Sequence, residues 1–264
     1  MKKYLVIGNP IEHSLSPKLH NYWIKKNNID AIYEKKKLNE KDIKNVILDV
    51  KNEKISGINV TVPFKKSVIS FIDELSPEAK ETQSVNTVYK ENNKIVGHNT
   101  DISGFELALR GINYDVKNKK IFILGAGGVV SSIILALRKM GVEKIILSNR
   151  TKKKAEKLKK TFINLEIIDW GKTPEFNMII NATSLGLNKD DEIKLNYTDI
   201  EPNKLFYDII YNPSKTKFLS KAKQYGNKTE NGKMMFIYQA HQAFTIWHKV
   251  MPKIDEETIK LLDL

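Results

Sequence analysis

Residues 119–150 constrain this chain more than any other stretch. Lys119-Lys120-Ile121-Phe122-Ile123-Leu124 is a short β-branched and apolar run, and Gly125-Ala126-Gly127-Gly128 follows at once. A helix-compatible segment covers 129–140, Gly141 ends it, and Lys144-Ile145-Ile146-Leu147-Ser148 reads as a second buried strand. Strand, glycine loop, helix and strand in that order is the context a dinucleotide fingerprint needs. Gly125 permits a tight turn. Gly127 removes a Cβ that would block a pyrophosphate, and the helix N-terminus behind it offers free N–H groups and a positive dipole end. Val130 occupies the third-glycine position, so the textual match is incomplete. The same loop serves as a plain strand-to-helix turn in other sheets, so the end of the second strand decides. NAD sites usually place an acid there. Here it reads Asn149-Arg150-Thr151, followed by Lys152, Lys153 and Lys154. An arginine fork suits a 2′-phosphate. The expected cofactor is therefore NADP rather than NAD.

The 264 residues suffice for one large or two ordinary domains. With no cysteine, disulfides, thiolate metal sites and a thiol nucleophile are excluded, and a reducing cytoplasm is expected. Apolar runs fall short of a membrane span. Met1-Lys2-Lys3 opens like a signal peptide, but the apolar run after it stops at Asn9-Pro10 and reads as a strand. The net charge of +13 invites a nucleic-acid reading. Its arginines are only Arg110, Arg138 and Arg150, and the lysines spread along the whole chain without a recognition motif. A solvated lysine surface is the expected reading, with no nucleic-acid and no membrane partner; its field would favour an anionic substrate. His98, His241 and His248 show no metal-ligand spacing, so no metal is expected.

Taken in order, Tyr4-Leu5-Val6-Ile7 is a first strand. The polar turn Gly8-Asn9-Pro10-Ile11-Glu12-His13-Ser14-Leu15-Ser16-Pro17 then leads into a helix with Leu19, Trp23 and Ile24 as its apolar stripe. Ser16 is the expected N-cap and Pro17 the first helical residue. Two serine hydroxyls at a helix start suit a carboxylate. A strand is expected at 31–38, a helix at 41–50 and a strand at 56–62 that sends Asn59 and Thr61 to one side. Pro63-Phe64-Lys65-Lys66 is expected to open a helix. A hairpin follows at 85–90 and 94–98, then a helix at 104–110. Beyond Arg150 a helix runs to about 160. Strands are expected near Glu166 and at 177–180 and 205–210, and a long helix from 232 to about 250. Asn181-Ala182-Thr183 and Tyr211-Asn212-Pro213 stand at carboxyl ends of strands, where open α/β sheets bind ligands.

Set side by side, these blocks make the chain resemble the shikimate dehydrogenase family from Gly8 to Gln239. The serine turn with His20-Asn21 resembles the family's substrate-carboxylate motif, and Asn59-Val60-Thr61-Val62-Pro63-Phe64-Lys65 its lysine motif. Val85-Asn86-Thr87 and Asn99-Thr100-Asp101 resemble two polar strand-end motifs. Gly125-Ala126-Gly127-Gly128 and Asn149-Arg150-Thr151 resemble the NADP motifs; Asn181-Ala182-Thr183, Tyr207-Asp208 with Tyr211-Asn212-Pro213, and Met235 with Gln239 complete the set. Each block alone is weak, and nine in register are specific. The resemblance implies two α/β domains with a cleft between them: a substrate domain at 1–101 plus 233–264 and a Rossmann-like NADP domain at 102–232. It implies an NADP-linked, reversible reduction of 3-dehydroshikimate to shikimate. Lys65 and Asp101 would be catalytic, and Ser14, Ser16, Asn59, Thr61, Asn86, Tyr211 and Gln239 would hold substrate. Gly125, Ala126, Gly127, Gly128, Val129, Asn149, Arg150, Thr151, Lys154, Thr183, Ile209, Gly232 and Met235 would hold NADP. Three departures stand out: Ile102 where the family usually has glycine, Lys154 in place of an arginine, and the bulkier helix start at 129–132.

Such a substrate carries one carboxylate and several hydroxyls. Ser14, Ser16 and Tyr211 suit the first; Asn86, Asp101 and Gln239 suit the second, and each would be left unpaired by a wrong epimer. Carbonyl reduction leaves negative charge on oxygen and needs a proton donor. A lysine is an ammonium at neutral pH, ready as an acid in reduction and poor as a base in oxidation. Shikimate oxidation is therefore expected to improve at alkaline pH. Without the resemblance, Lys65 beside Lys66 reads as a surface lysine at a helix start, and Asp101 as a helix N-cap. His20 is expected to be structural, and Gln242 to pack or cap. The alternatives are a broader quinate/shikimate dehydrogenase, against which Arg150 weighs only as far as NAD use, and a non-catalytic NADP or metabolite sensor, disfavoured by the presence of both Lys65 and Asp101. The oligomeric state is open, with a homodimer as one expectation.

Overall fold

Alternating strands and helices dominate the computed structural model, which describes residues 1–263 of the 264; the expected domain end at Leu264 lies outside the described residues. Two units are distinguished. One holds Met1–Gly104 with Ile237–Asp263, the other Phe105–Phe236.

In the first unit β1 (Lys2–Gly8), α1 (Ser16–Lys26), β2 (Ala31–Lys37), α2 (Ile43–Lys51) and β3 (Gly57–Val60) precede β4 (Glu74–Leu75) and α3 (Pro77–Thr82). The hairpin strands β5 (Thr87–Glu91) and β6 (Lys94–His98) lead into α4 (Asp101–Gly111). The sheet order is β2-β1-β3-β5-β6-β4. β1 pairs parallel with β2 and β3, whereas β5 is antiparallel to β3 and β6. Successive side chains of a strand point to opposite faces, and β1 shows it. Leu5 and Ile7 enter an apolar cluster with Ile43, Val46, Ile47 and Val50 of α2, while Tyr4 stacks on Trp247 with ring centroids 4.9 Å apart. The α1 stripe Leu19, Trp23 and Ile24 is buried. His20 lies among the same rings, 4.2 Å from Tyr33 and nearly parallel to it. Burial pushes its imidazole down to about 3, so it is neutral and structural.

The second unit contains β7 (Lys120–Leu124), α5 (Val130–Lys139), β8 (Lys144–Ser148), α6 (Lys152–Thr161), β9 (Leu165–Ile168), β10 (Met178–Asn181), β11 (Leu205–Asp208), α7 (Lys217–Gln224) and β12 (Lys228–Glu230). Every pairing is parallel, in the order β12-β11-β10-β7-β8-β9. Renumbered within the unit this is 3-2-1-4-5-6, the doubly wound dinucleotide-binding order, whose switch point lies between β7 and β10. Near-continuous apolar strands such as Lys-Ile-Phe-Ile-Leu in β7 are what a sheet covered on both faces requires. Phe122, Ile179 and Phe206 pack against Phe218 and Ala222 of α7. The long α8 (Lys233–His248) and the short α9 (Glu256–Lys260) end the chain.

Several expectations are corrected. Leu15, not Ser16, is at the N-cap of α1, and no side chain caps it; Ser16 is the first helical residue. Pro63 to Lys66 form a turn, and the helical segment after them is a 3-10 turn at Ser67–Phe71. One i to i+4 bond forms, from Val68 N–H to Phe64 O at 3.0 Å, but Lys65 O accepts from Val85 N–H at 2.8 Å and Ile69 N–H turns to Lys66 O at 3.2 Å, so the ladder does not continue. The expected helix at 41–50 begins as a 3-10 turn at Glu40–Asp42 before α2. The strand expected at 56–62 shortens to β3, and the one at 205–210 to β11.

Candidate active site

The first unit gathers a buried polar network around Lys65 and Asp101. The turn after β3 holds Lys65, pinned by the buried Phe64. Asp101 opens α4 directly after β6, and its own N–H donates to Asn99 Oδ1 at 3.1 Å. Lys65 Nζ donates to Asp101 Oδ2, although 36 residues separate them in sequence. Their side chains are 13% and 7% exposed, so the ion pair is largely shielded from water. Asp101 Oδ1 accepts from Asn86 Nδ2 at 2.9 Å. Asn86 Oδ1 accepts in turn from Thr100 N–H at 2.9 Å and Thr87 Oγ1 at 3.0 Å. Behind it, Asn59 Nδ2 donates to Asn86 O and Thr87 Oγ1, at 3.0 and 3.1 Å, and Asn59 Oδ1 accepts from Tyr33 OH at 2.7 Å. Both Asn59 amide hydrogens are spent within the protein, which leaves it one lone pair for a ligand. Buried polar groups joined this completely fix one geometry.

Ser14 and Ser16 lie where β1 feeds α1, half-buried and buried respectively. Ser16 N–H donates to Ser14 Oγ at 3.4 Å, so the Ser14 hydroxyl orders the helix entry. Glu12 steadies this loop: its carboxylate accepts from Lys37 Nζ and Ile11 N–H, both at 2.9 Å. Thr61, half-buried, follows β3. Gln239, also half-buried, projects from α8. Tyr211 lies in the second unit, stacked on Phe236 at 4.4 Å.

In the second unit the glycine loop sits at the switch point. Gly125 has φ +112°, and a Cβ there would stand 2.5 Å from Ala182 O. Gly127 is different: a Cβ would meet only Ala182 O at 3.9 Å. The fold does not demand glycine at 127, whereas a phosphate lying over the loop would. Val129 is at the N-cap of α5, with no side-chain cap and no acid in the first turn, so the helix start suits an anion. Ala126 and Gly128 line the same half-buried loop. At the end of β8, Asn149 Nδ2 donates to Thr151 O at 2.8 Å and shapes the turn. Arg150 and Lys154 are exposed cations there; Lys152 is paired with Asp169 at 2.8 Å. These residues fit a phosphorylated dinucleotide. Thr183 closes the loop after β10: its hydroxyl donates to Asn181 Oδ1 at 2.7 Å and accepts from Leu185 N–H at 3.0 Å. Gly232 packs on Ile209, whose carbonyl oxygen would be 2.1 Å from a Cβ. Met235 is buried.

Sequence reasoning missed the hub beneath this second loop. Asp208, fully buried at the end of β11, accepts from Thr216 Oγ1 at 2.7 Å, Ile210 N–H at 3.0 Å and Asn181 Nδ2 at 3.0 Å. The sequence shows it as an acid inside an apolar strand and, with Tyr207, as part of one block of the resemblance, and neither marks it as a hub. Desolvation pushes the carboxyl up to about 6 from 3.8, against three hydrogen bonds that lower it. The folded protein thus holds this proton more tightly than the unfolded chain. The contribution is full below about pH 3.8 and is lost as pH rises through about 6. For Asp208→Asn we expect stability relative to the parent to rise by about 3 kcal/mol between acid and neutral pH. Urea titrations of both proteins across that range read it, and parallel stability curves would contradict it.

Comparisons with known proteins agree with this geometry. Residues 6–88 match the family model described as the shikimate dehydrogenase substrate binding domain, and residues 106–187 the one described as shikimate / quinate 5-dehydrogenase. The chain is 62% identical over 263 residues to a shikimate dehydrogenase (NADP(+)) of Pelagibacter ubique, covering 100% of this chain and 99% of the relative. A shikimate dehydrogenase solved in complex with NADP+ superposes with a TM-score of 0.93 at 34% identity, covering 100% of this chain and 95% of that one. The Thermus thermophilus enzyme, solved with NADP(H) and shikimate, gives a TM-score of 0.89 at 30% identity, covering 99% and 98%. Two matched domain families and full-length similarity lead to one conclusion: this chain belongs to the shikimate dehydrogenase family.

Proposed function

We propose that this protein is an NADP-dependent shikimate dehydrogenase that reversibly reduces 3-dehydroshikimate to shikimate. The observation that carries the reading is the shielded Lys65–Asp101 pair, with Asn86 on the second carboxylate oxygen. Lys65 Nζ delivers a proton to the substrate oxygen as negative charge develops there. Asp101 holds that ammonium in place, and Asn86 orients the carboxylate. Ser14 and Ser16 hold the substrate carboxylate, joined by Thr61, Asn59 and Gln239 around the ring. NADPH, when bound, supplies the hydride. The glycine loop from Gly125 to Gly128 and the start of α5 take its pyrophosphate, with Arg150, Thr151 and Lys154 at its 2′-phosphate; Thr183, Ile209, Gly232 and Met235 form the remaining wall. The substrate domain is assigned to the first unit and the cofactor domain to the second. A cytoplasmic location is supported by the cysteine-free composition; among the described residues no helix is long and apolar enough to cross a membrane.

Incubation with 3-dehydroshikimate and NADPH should yield shikimate, identified by mass and chromatography; unchanged 3-dehydroshikimate would overturn the reading. Arg150→Ala should raise KM for NADP+ by about 10- to 100-fold, the worth of one or two charge-assisted hydrogen bonds. The same change should leave KM for NAD+ nearly unmoved, and equal losses with both cofactors would remove Arg150 from the 2′-phosphate.

A further inference from the structure

Gln242 is a polar residue on a helix that packs mostly through apolar groups, His241 Nε2 at 3.0 Å from Pro252 O aside. Ile237, Ala240, Ala243 and Phe244 of α8 are all buried. Apolar burial is non-directional, and the two alanines offer little to lock the helix against sliding or turning. A hydrogen bond is directional. Ser103 Oγ donates to Gln242 Oε1.

Both ends of that bond stand next to the proposed chemistry. Gln242 lies three residues after Gln239, so the two amides share a face of α8. Ser103 lies in the first turn of α4, two residues after Asp101, and its hydroxyl is also 3.3 Å from Thr100 O. Thr100 is tied to Asn86, and Asn86 to Asp101. Ile102, between Asp101 and Ser103, is buried and anchors the same turn. The bond therefore joins the turn that carries Asp101 to the helix turn that carries Gln239.

We propose that Ser103 and Gln242 are positioning residues: their hydrogen bond fixes Gln239 relative to Asp101 and so sets how tightly the hydroxyls of the substrate ring are held. The inference rests on the dehydrogenase reading and deepens it. Lys65 and its proton are untouched by the bond, so its loss weakens ground state and transition state alike.

The test uses Ser103→Ala, Gln242→Met, the double variant and Ser103→Thr, with kcat and KM for shikimate at saturating NADP+ and the shikimate Kd by calorimetry. Each single change should raise KM and Kd by about tenfold, with kcat within about threefold of the parent. The double variant should be no worse than the weaker single, because both remove one interaction. Ser103→Thr keeps the hydroxyl and should behave as the parent. If Ser103→Ala fails to fold, Gln242→Met carries the comparison. Unmoved KM and Kd, additive losses, or a fall in kcat at constant KM would each overturn the clasp while leaving the dehydrogenase reading intact. A parent protein that neither turns over nor binds shikimate would overturn both.

Discussion

Lys65→Ala is expected to lower kcat for shikimate oxidation by about 10²- to 10⁴-fold, the usual worth of a positioned general acid–base group. The magnitude follows from the site's isolation. Lys65 reaches Asp101 with both side chains shielded, and Asp101's other oxygen is held by Asn86 at 2.9 Å. Asn86 and Thr100 have their hydrogen bonds elsewhere in the network, so neither is a spare proton donor. Shikimate should still bind, because Ser14, Ser16 and Thr61 are unchanged. The variant also leaves a buried carboxylate without its ammonium, which destabilises the fold. The double variant Lys65→Ala/Asp101→Asn removes that charge, and should recover the thermal midpoint without recovering turnover. Steady-state rates and calorimetric shikimate binding separate the two effects. A Lys65→Ala enzyme with near-parental kcat would remove this lysine from the chemistry.

The second large effect contrasts two glycines two residues apart. Gly125→Ala should lower both fold stability and NADP affinity. Its φ of +112° is costly for any residue with a Cβ, and that atom would stand 2.5 Å from the backbone oxygen of Ala182. The loop after β10 must then move, at a cost of about 1–3 kcal/mol for the backbone conformation alone. Gly127→Ala should leave stability unchanged, since its Cβ meets nothing closer than 3.9 Å. It should nonetheless weaken NADP binding by at least about tenfold, because the added methyl occupies the space of a pyrophosphate. Thermal unfolding without cofactor and NADP+ titration, run on both variants, read the contrast. Equal thermal midpoints for the two, or parental NADP affinity in Gly127→Ala, would contradict it.

The cofactor half was the more legible in sequence, for a local reason. β7, the glycine loop, α5 and β8 are consecutive, and each carries its own signal: an apolar run, a glycine turn, a helical stripe, a second run. The two-residue β4 and three-residue β12 carry none. A strand that short exists only because a neighbour pairs with it, β6 in one case and β11 in the other. Lys65 shows the same limit. Pro63-Phe64-Lys65-Lys66 reads as a helix start, yet the carbonyl of Lys65 is taken by Val85, twenty residues on. Its pairing with Asp101 has no local mark, and only the resemblance drew attention to it. Ser16 reads as a cap because capping is judged from residue type, whereas the chain turns into α1 one residue earlier, at Leu15. The roles of Tyr33 and of Asp208, which the sequence shows only as half of the Tyr207-Asp208 block, have no local mark because both residues sit in strands. Their roles come from partners distant in sequence: Asn59 for Tyr33, and Thr216 and Asn181 for Asp208.

The most direct test is the reduced-nicotinamide absorbance of the purified protein with shikimate, NADP+ and NAD+ in parallel, across neutral to alkaline pH. Turnover is expected with NADP+, with much weaker turnover on NAD+ and an oxidation rate that climbs with pH, because oxidation of the alcohol releases a proton. Tight NADP+ binding without any shikimate oxidation would contradict it and leave a binding protein on a dehydrogenase fold.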